Sequence, residues 1–101
     1  MGMDLIAIAP TKEAPKDSDG RIIDGRYNIS GWSTLCHLLI DWNVDISEFS
    51  AYNDGEMICT ETCQEVAKAI EDNLHTLDGQ TKKWLKPHIE LWRTCGGYEQ
   101  W

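Results

Sequence analysis

Residues 61–77 have the sequence ETCQEVAKAIEDNLHTL, the strongest secondary-structure signal in the chain. Apolar residues recur there at spacings of three and four, at Cys63, Val66, Ala67, Ile70, Leu74 and Leu77. Such spacing is typical of a helix with one apolar face. Thr62 and Glu65 stand in a capping-box arrangement, in which each side chain bonds a free backbone N–H of the first turn. The pattern predicts a helix from about 61 to 77, ended by Asp78 and Gly79.

Two further helices are predicted from the same periodicity. The segment Ser30–Ser33 can cap a helix that runs to about Trp42, and the apolar face of this helix would carry Leu35, Cys36, Leu38, Leu39 and Trp42. A last helix is predicted from about Thr81 to Thr94, with an apolar band of Trp84, Leu85, His88, Ile89, Trp92 and Cys95. Pro87 lies inside it. Because proline lacks an N–H and clashes with the preceding turn, the helix either kinks at Pro87 or starts there.

The N-terminal part of the chain favours strands. Asp4 to Ala9 form a short apolar run that Pro10 stops, which is typical of a buried strand. Residues 11–20 are polar and predict an exposed loop. Asp24-Gly25 lies between apolar residues and indicates a hairpin, because glycine accepts the positive φ of tight turns. We therefore predict an α+β fold, with a short N-terminal strand and β-hairpin packed on about three helices, in a single globular domain spanning 1–101.

Composition limits the class of protein. With 101 residues, of which 42% are hydrophobic and 26% charged, the chain is ordinary for a globular domain. No apolar stretch approaches the ~20 residues that span a bilayer. The start lacks the basic region of a secretory signal, so we expect a cytoplasmic protein without membrane contact. In a reducing compartment the four cysteines are expected to stay free thiols.

Negative charge is concentrated in the middle of the chain. Between positions 41 and 78 lie ten acidic residues and one lysine, a net charge of −9, whereas the rest of the chain sums to +1. Such a field repels nucleic acid and attracts basic surfaces. One hypothesis is that these carboxylates imitate nucleic-acid phosphates, and the other is that they only confer solubility. The first hypothesis places the partner-binding residues at Asp54, Glu56, Glu61, Glu65, Glu71 and Asp72.

Metal and catalytic sites find weaker support. Cys59 and Cys63 have the spacing of a zinc-binding pair, but His75 and His88 are thirteen residues apart, so buried thiols are the preferred interpretation and no metal or cofactor is expected. The adjacent Cys36 and His37 would point about 100° apart on a helix and cannot form a nucleophile–base pair alone. Motifs for phosphate loops, dinucleotide binding and hydrolase nucleophiles are missing from the sequence.

Direct nucleic-acid binding is not expected either. Lys82, Lys83, Lys86 and Arg93 form a small basic cluster with Trp84 and Trp92 between them. Base stacking needs exposed indoles, whereas helical spacing places these two in the core.

Three segments carry a family resemblance: Met1–Leu5, then Gly25–Asn28 leading to Trp32, then Tyr52-Asn53-Asp54-Gly55 before a helix. They resemble uncharacterised small proteins of phages and prophages that begin Met-Gly-(Met or Phe)-Asp-Leu and carry an Asn-Asp-Gly turn before a helix. The resemblance implies a mobile-element setting, in which small acidic proteins bind host machinery as anti-CRISPR proteins do.

The resulting hypothesis is a non-catalytic inhibitor that binds the basic surface of a host protein or ribonucleoprotein complex. A Cys/His zinc module and an enzyme are the alternatives.

Overall fold

The computed structural model describes residues 2–21, 23, 25–50 and 55–101. Within these ranges the elements follow in the order β1 (Gly2–Ala7), β2 (Gly25–Asn28), α1 (Ile29–Asp41), β3 (Met57–Ile58), α2 (Thr60–Asn73), α3 (Gly79–Leu85), α4 (His88–Thr94) and β4 (Tyr98–Gln100). A 3₁₀ turn, Leu74–Thr76, extends α2. The predicted α+β fold, with a strand, a hairpin and helices packed on them, is confirmed.

The described strands form one antiparallel sheet in the order β2-β1-β4-β3. The C-terminal strand β4 lies in the middle, where Gln100 pairs with Leu5 and Tyr98 pairs with Ile58. Side chains alternate across the sheet. Met3 and Leu5 are therefore buried among the helices, whereas Ile6 on the opposite face is 42% exposed.

Strand boundaries differ from the prediction at both ends of β1. The strand begins at Gly2 and ends at Ala7, and the register of its pairing with β4 is lost after Ile8. Ile8 donates to Gly97 O at 3.0 Å and Ala9 donates to Cys95 O at 3.1 Å. The connection from β1 to β2 has a tight turn at 17–20, where Asp17 Oδ1 accepts from the N–H groups of residues 19 and 21.

The predicted Asp24-Gly25 turn lies partly outside the described residues, together with Ile22. Gly25 itself is the first residue of β2 and pairs with Leu5. It does not have a positive φ, so it is not the turn glycine that the sequence suggested.

Helix α1 has the predicted face but a different cap. Asn28, and not the Ser30–Ser33 segment, provides the cap, because its Oδ1 accepts from Gly31 N–H at 2.7 Å. The helix ends through Asn43 in the left-handed region, with φ of 62°. There Asn43 N–H donates to Ile40 O and Val44 N–H donates to Leu39 O, the Schellman arrangement that satisfies the last carbonyls.

The strongest prediction, the helix at 61–77, is confirmed as α2 and the 3₁₀ turn that extends it. The predicted capping box of Thr62 and Glu65 is wrong. Cys59 is the residue at the cap, and the Thr62 hydroxyl donates to the Glu48 carboxylate instead of the helix backbone. A side chain from a distant loop thus performs the role that local pairing was expected to fill.

The last predicted helix is two helices, α3 and α4. The break falls at Lys86–Pro87, and α4 begins after Pro87, which has φ of −64°. Proline cannot donate to the preceding turn, so a continuous helix would lose a hydrogen bond at this point. Asp78, which we expected to end the previous helix, caps α3 by accepting from Thr81 N–H at 2.7 Å.

The helices and sheet share one apolar core, which the two prominent tryptophans Trp32 and Trp92 help to fill. Gln100 is the buried polar residue at its edge. Its Oε1 accepts from Ser50 N–H at 2.6 Å, and its Nε2 donates to the carbonyls of Glu48 and Glu56 at 2.9 and 3.1 Å. The C-terminal strand therefore anchors the backbone on both sides of residues 51–54.

Candidate functional site

Helix α2 carries the main part of the predicted acidic surface. Its buried side chains are Cys63, Val66, Ala67 and Ile70. At about 100° per residue, positions 61, 65, 68 and 72 lie on the opposite side of the helix within a narrow stripe. Glu61, Glu65 and Asp72 are exposed there, with Lys68 between them. We call Glu61, Glu65 and Asp72 the α2 acidic stripe.

The other three predicted contact residues lie elsewhere. Glu71 is on the flank of α2, where its carboxylate is 4.0 Å from the Arg93 guanidinium. Glu56 precedes β3, and its backbone carbonyl accepts from Gln100. Asp54 is outside the described residues. The structure therefore groups Glu61, Glu65 and Asp72, and it does not bring all six residues onto one surface.

Several other carboxylates of the acidic segment have local structural roles. The Thr62 and Cys59 side chains donate to Glu48 and lower the pKa of that carboxyl. Backbone N–H groups of Ser47 and Thr81 lower the pKa of Asp45 and Asp78, respectively. These three carboxylates organise a loop or a helix start, which weakens the expectation that the whole segment forms a contact surface.

A depression of about 360 Å³ borders the α2 acidic stripe. Glu65, Lys68 and Asp72 line it on the α2 side, and Trp42 and Val44 line it on the side of the segment after α1. The partly buried indole of Trp42 packs against the core. Carboxylates beside an aromatic ring suit a lysine or arginine side chain, since both cation–carboxylate and cation–π attraction are available. The sequence had assigned Trp42 only to the apolar face of α1.

The predicted basic cluster is exposed and partly neutralised. Arg93 forms ion pairs with Glu71 and Glu90. Trp92 is buried and Trp84 is partly buried against the core, as their helical spacing predicted. These indoles therefore do not form an exposed platform for stacking bases.

The cysteines proposed as zinc ligands have other partners. The thiols of Cys63 and Cys95 are buried, and each donates to a backbone carbonyl, Cys63 Sγ to Ile58 O and Cys95 Sγ to Trp92 O. The neighbouring Cys95 thiol and burial raise the pKa of Cys63. Cys59 is exposed, and its Sγ donates to Glu48 at 3.1 Å. Among residues 2–21, 23, 25–50 and 55–101, no group of three or more His, Cys, Asp or Glu residues is arranged to hold a metal.

Cys36 lies beside an apolar hollow of about 460 Å³, and His37 is exposed. Burial raises the pKa of Cys36 to about 11, so the thiol is protonated at neutral pH. Trp32, Ile46 and Phe49 also line the hollow, and neither an acid nor a base is among its lining residues. The arrangement lacks the base that nucleophilic catalysis by a thiol requires.

A buried polar network that sequence reasoning missed joins Tyr27, His88 and Trp92. Trp92 Nε1–H donates to the Tyr27 hydroxyl oxygen at 2.9 Å, and that hydroxyl lies 2.6 Å from His88 Nδ1. Burial raises the pKa of Tyr27 and lowers that of His88. Both side chains are therefore neutral at pH 7, and the contact is a hydrogen bond between a neutral phenol and a neutral imidazole. The network connects β2 to α4 and explains why the predicted apolar band contains a histidine.

Comparison with protein-family models, curated proteins and solved structures gives no match. The resemblance to small phage and prophage proteins therefore stays a prediction. No helix in the described ranges combines the length and apolar character needed to cross a bilayer.

Proposed function

We propose that this protein is a non-catalytic binding protein whose α2 acidic stripe contacts a basic surface of a host protein or ribonucleoprotein complex and inhibits it. The observation that supports the proposal is the arrangement of α2. Three exposed carboxylates project from one side of a 14-residue helix whose opposite side is buried in the core. Because the helix is packed along its length, the spacing of these charges is fixed before a partner arrives, and little conformational entropy is lost on binding.

Charge distribution favours the same partner. The segment 41–78 has a net charge of −9, so its field accelerates encounters with basic surfaces and opposes encounters with nucleic acid. In the depression beside Trp42 the two carboxylates Glu65 and Asp72 outnumber the one ammonium group, Lys68, so its net negative charge favours a cationic side chain of the partner. The inhibitory role and the phage setting rest on the sequence resemblance.

Charge reversal on the stripe tests the proposal. The double variant Glu65→Lys/Asp72→Lys changes both carboxylates that border the depression. Partners are captured from a lysate of the source cells with the wild-type protein, identified by mass spectrometry, purified and titrated. Exposed ion pairs contribute about 0.2–1 kcal/mol each, so two lost attractions and two new repulsions predict binding weaker by roughly tenfold or more.

The matched control is Glu13→Lys/Asp19→Lys, which changes the net charge equally in the exposed loop between β1 and β2. It should retain the affinity of the wild-type protein to within about twofold, apart from a general charge effect. Equal loss in both variants would mean that only net charge matters. Unchanged affinity in the α2 variant would exclude the stripe as the contact surface.

A further inference from the structure

Helix α1 carries a stripe of side chains that the core covers only in part. Ile29 and Ile40 are 69% and 54% exposed, although both are large aliphatic side chains. Together with Ser33 and Cys36 they occupy positions i, i+4, i+7 and i+11, which lie on one side of a helix. From position 29 to position 40 this stripe is about 16 Å long, or three helical turns.

The hollow of about 460 Å³ lies along this stripe. Its walls include Ile29, Cys36, Ile46 and Phe49, and the rings of Trp32 and Phe49 stack at 5.1 Å with an angle of 13° between their planes. Trp32 Nε1–H donates to Ser50 O at 3.1 Å, so the polar atom of the indole has its partner inside the protein. The hollow and the stripe together form an apolar groove, which we call the α1 groove.

The chain segment that forms the α1 groove has Asp and Glu but no Lys or Arg. Residues 29–50 contain no lysine or arginine, and their acidic residues are Asp41, Asp45 and Glu48. Asp41 and Asp45 are exposed, the first as the last residue of α1 and the second directly before Ile46 of the groove wall. An occupant therefore needs apolar side chains toward the protein and positive charge at its border. A helix of three to four turns with leucine-like residues on one side and lysine or arginine on the other has both properties.

We propose that the α1 groove binds an amphipathic basic helix of the partner protein. This inference rests on the proposed function, since it names the structural class of the basic partner. The groove supplies apolar contact area, and Asp41 and Asp45 attract the basic side of the incoming helix. The segment 42–44 continues from the groove to the α2 acidic stripe, so one basic partner can reach both surfaces.

The test uses a synthetic 14-residue peptide of leucine and lysine, with the leucines at helical spacing on one side. A peptide of the same composition in scrambled order and a peptide of fourteen lysines are compared with it by fluorescence anisotropy. We expect the amphipathic peptide to bind at least tenfold more tightly than either comparison peptide. Ile29→Ser and Ile40→Ser should each weaken this binding several-fold and leave the circular dichroism spectrum unchanged.

Two controls are built into the chain. Met57, on the open face of the sheet, is 59% exposed, so Met57→Ser removes a comparable exposed side chain without touching the groove and should leave binding unchanged. Cys36 lines the groove whereas the exposed Cys59 does not. Bound peptide should therefore slow alkylation of Cys36 at pH 9.5 and leave the alkylation of Cys59 unchanged.

The outcomes separate the two proposals. Equal binding of all three peptides would overturn the groove inference and leave charge-driven binding intact, whereas no binding of any peptide would count against both proposals. Loss of binding in Met57→Ser to the same degree would place the apolar contact on the sheet and overturn the inference. If light scattering shows a dimer that Ile29→Ser or Ile40→Ser dissociates, the groove is covered by a second copy of the chain and the inference is wrong.

Discussion

Replacing Tyr27 by phenylalanine removes one oxygen atom from the centre of the buried network and should destabilise the fold. Tyr27 is almost fully buried, and its hydroxyl has two partners, Trp92 Nε1 at 2.9 Å and His88 Nδ1 at 2.6 Å. A buried donor without a partner costs about 1–3 kcal/mol, and the second bond contributes about 1 kcal/mol. We therefore expect the free energy of unfolding to fall by about 2–4 kcal/mol, a large part of the 5–15 kcal/mol typical of a domain.

Urea denaturation followed by far-ultraviolet circular dichroism measures this loss, because tryptophan fluorescence is itself changed near Trp92. The slope of the transition should stay constant while the midpoint falls. A double-mutant cycle of Tyr27→Phe, His88→Ala and the variant with both substitutions isolates the Tyr27–His88 hydrogen bond. We expect a coupling energy of about 1 kcal/mol between the two residues. A loss below about 0.5 kcal/mol for Tyr27→Phe, or no coupling, would refute the hydrogen-bond assignment.

The same contact has a pH signature. Burial lowers the pKa of His88 below the value near 6.5 of an unfolded histidine, so the unfolded chain binds the proton first as the pH falls. Stability should therefore decrease from pH 7 to pH 5. His88→Gln should flatten this decrease, and a variant that retains the full slope would show that another group causes it. At the alkaline end, the raised pKa of Tyr27 means that stability should decrease above about pH 10.

Three further predictions concern the helix cap, a glycine and a thiol. Asn28→Ala removes the side-chain acceptor of Gly31 N–H and should cost about 1 kcal/mol in urea denaturation, whereas Asn28→Asp should restore most of that loss. Gly96→Ala should cost more than about 3 kcal/mol, because φ is 65° and a Cβ would lie 2.1 Å from Ala9 O. Gly20→Ala, with φ of 80° and open space around it, should cost only about 1 kcal/mol, and equal losses at the two glycines would disprove the steric argument. Cys36, with a pKa of about 11, should react with iodoacetamide at pH 8 about a hundredfold more slowly than an unburied thiol, and its rate should rise tenfold per pH unit; a rate that is already constant at pH 8 would contradict the raised pKa.

Local patterns in the sequence were sufficient to predict the helices. Helix α2 was predictable because its apolar residues repeat at the period of the helix, and the same periodicity located α1 and its buried face. The break at Pro87 was predictable as one of two alternatives, because the missing N–H is a property of the residue itself.

Contacts between segments that are distant in the sequence decided the features that local patterns did not predict. The sequence did not predict strand β4, because Tyr98–Gln100 is too short for a periodic pattern. This segment becomes a strand only by pairing between β1 and β3. The capping box failed for a related reason, since Glu48 reaches Thr62 across the fold and replaces the local partner.

The amino-acid sequence by itself determined the fold class, the helix faces and the concentration of negative charge between positions 41 and 78, because each of these depends on residues close together in the chain. Only the tertiary structure decided that Glu71 pairs with Arg93, that Glu48 is used within the fold, and that Trp42 borders the α2 acidic stripe. These contacts depend on how the helices and strands pack, and the residues that share the free energy of packing are far apart in the sequence.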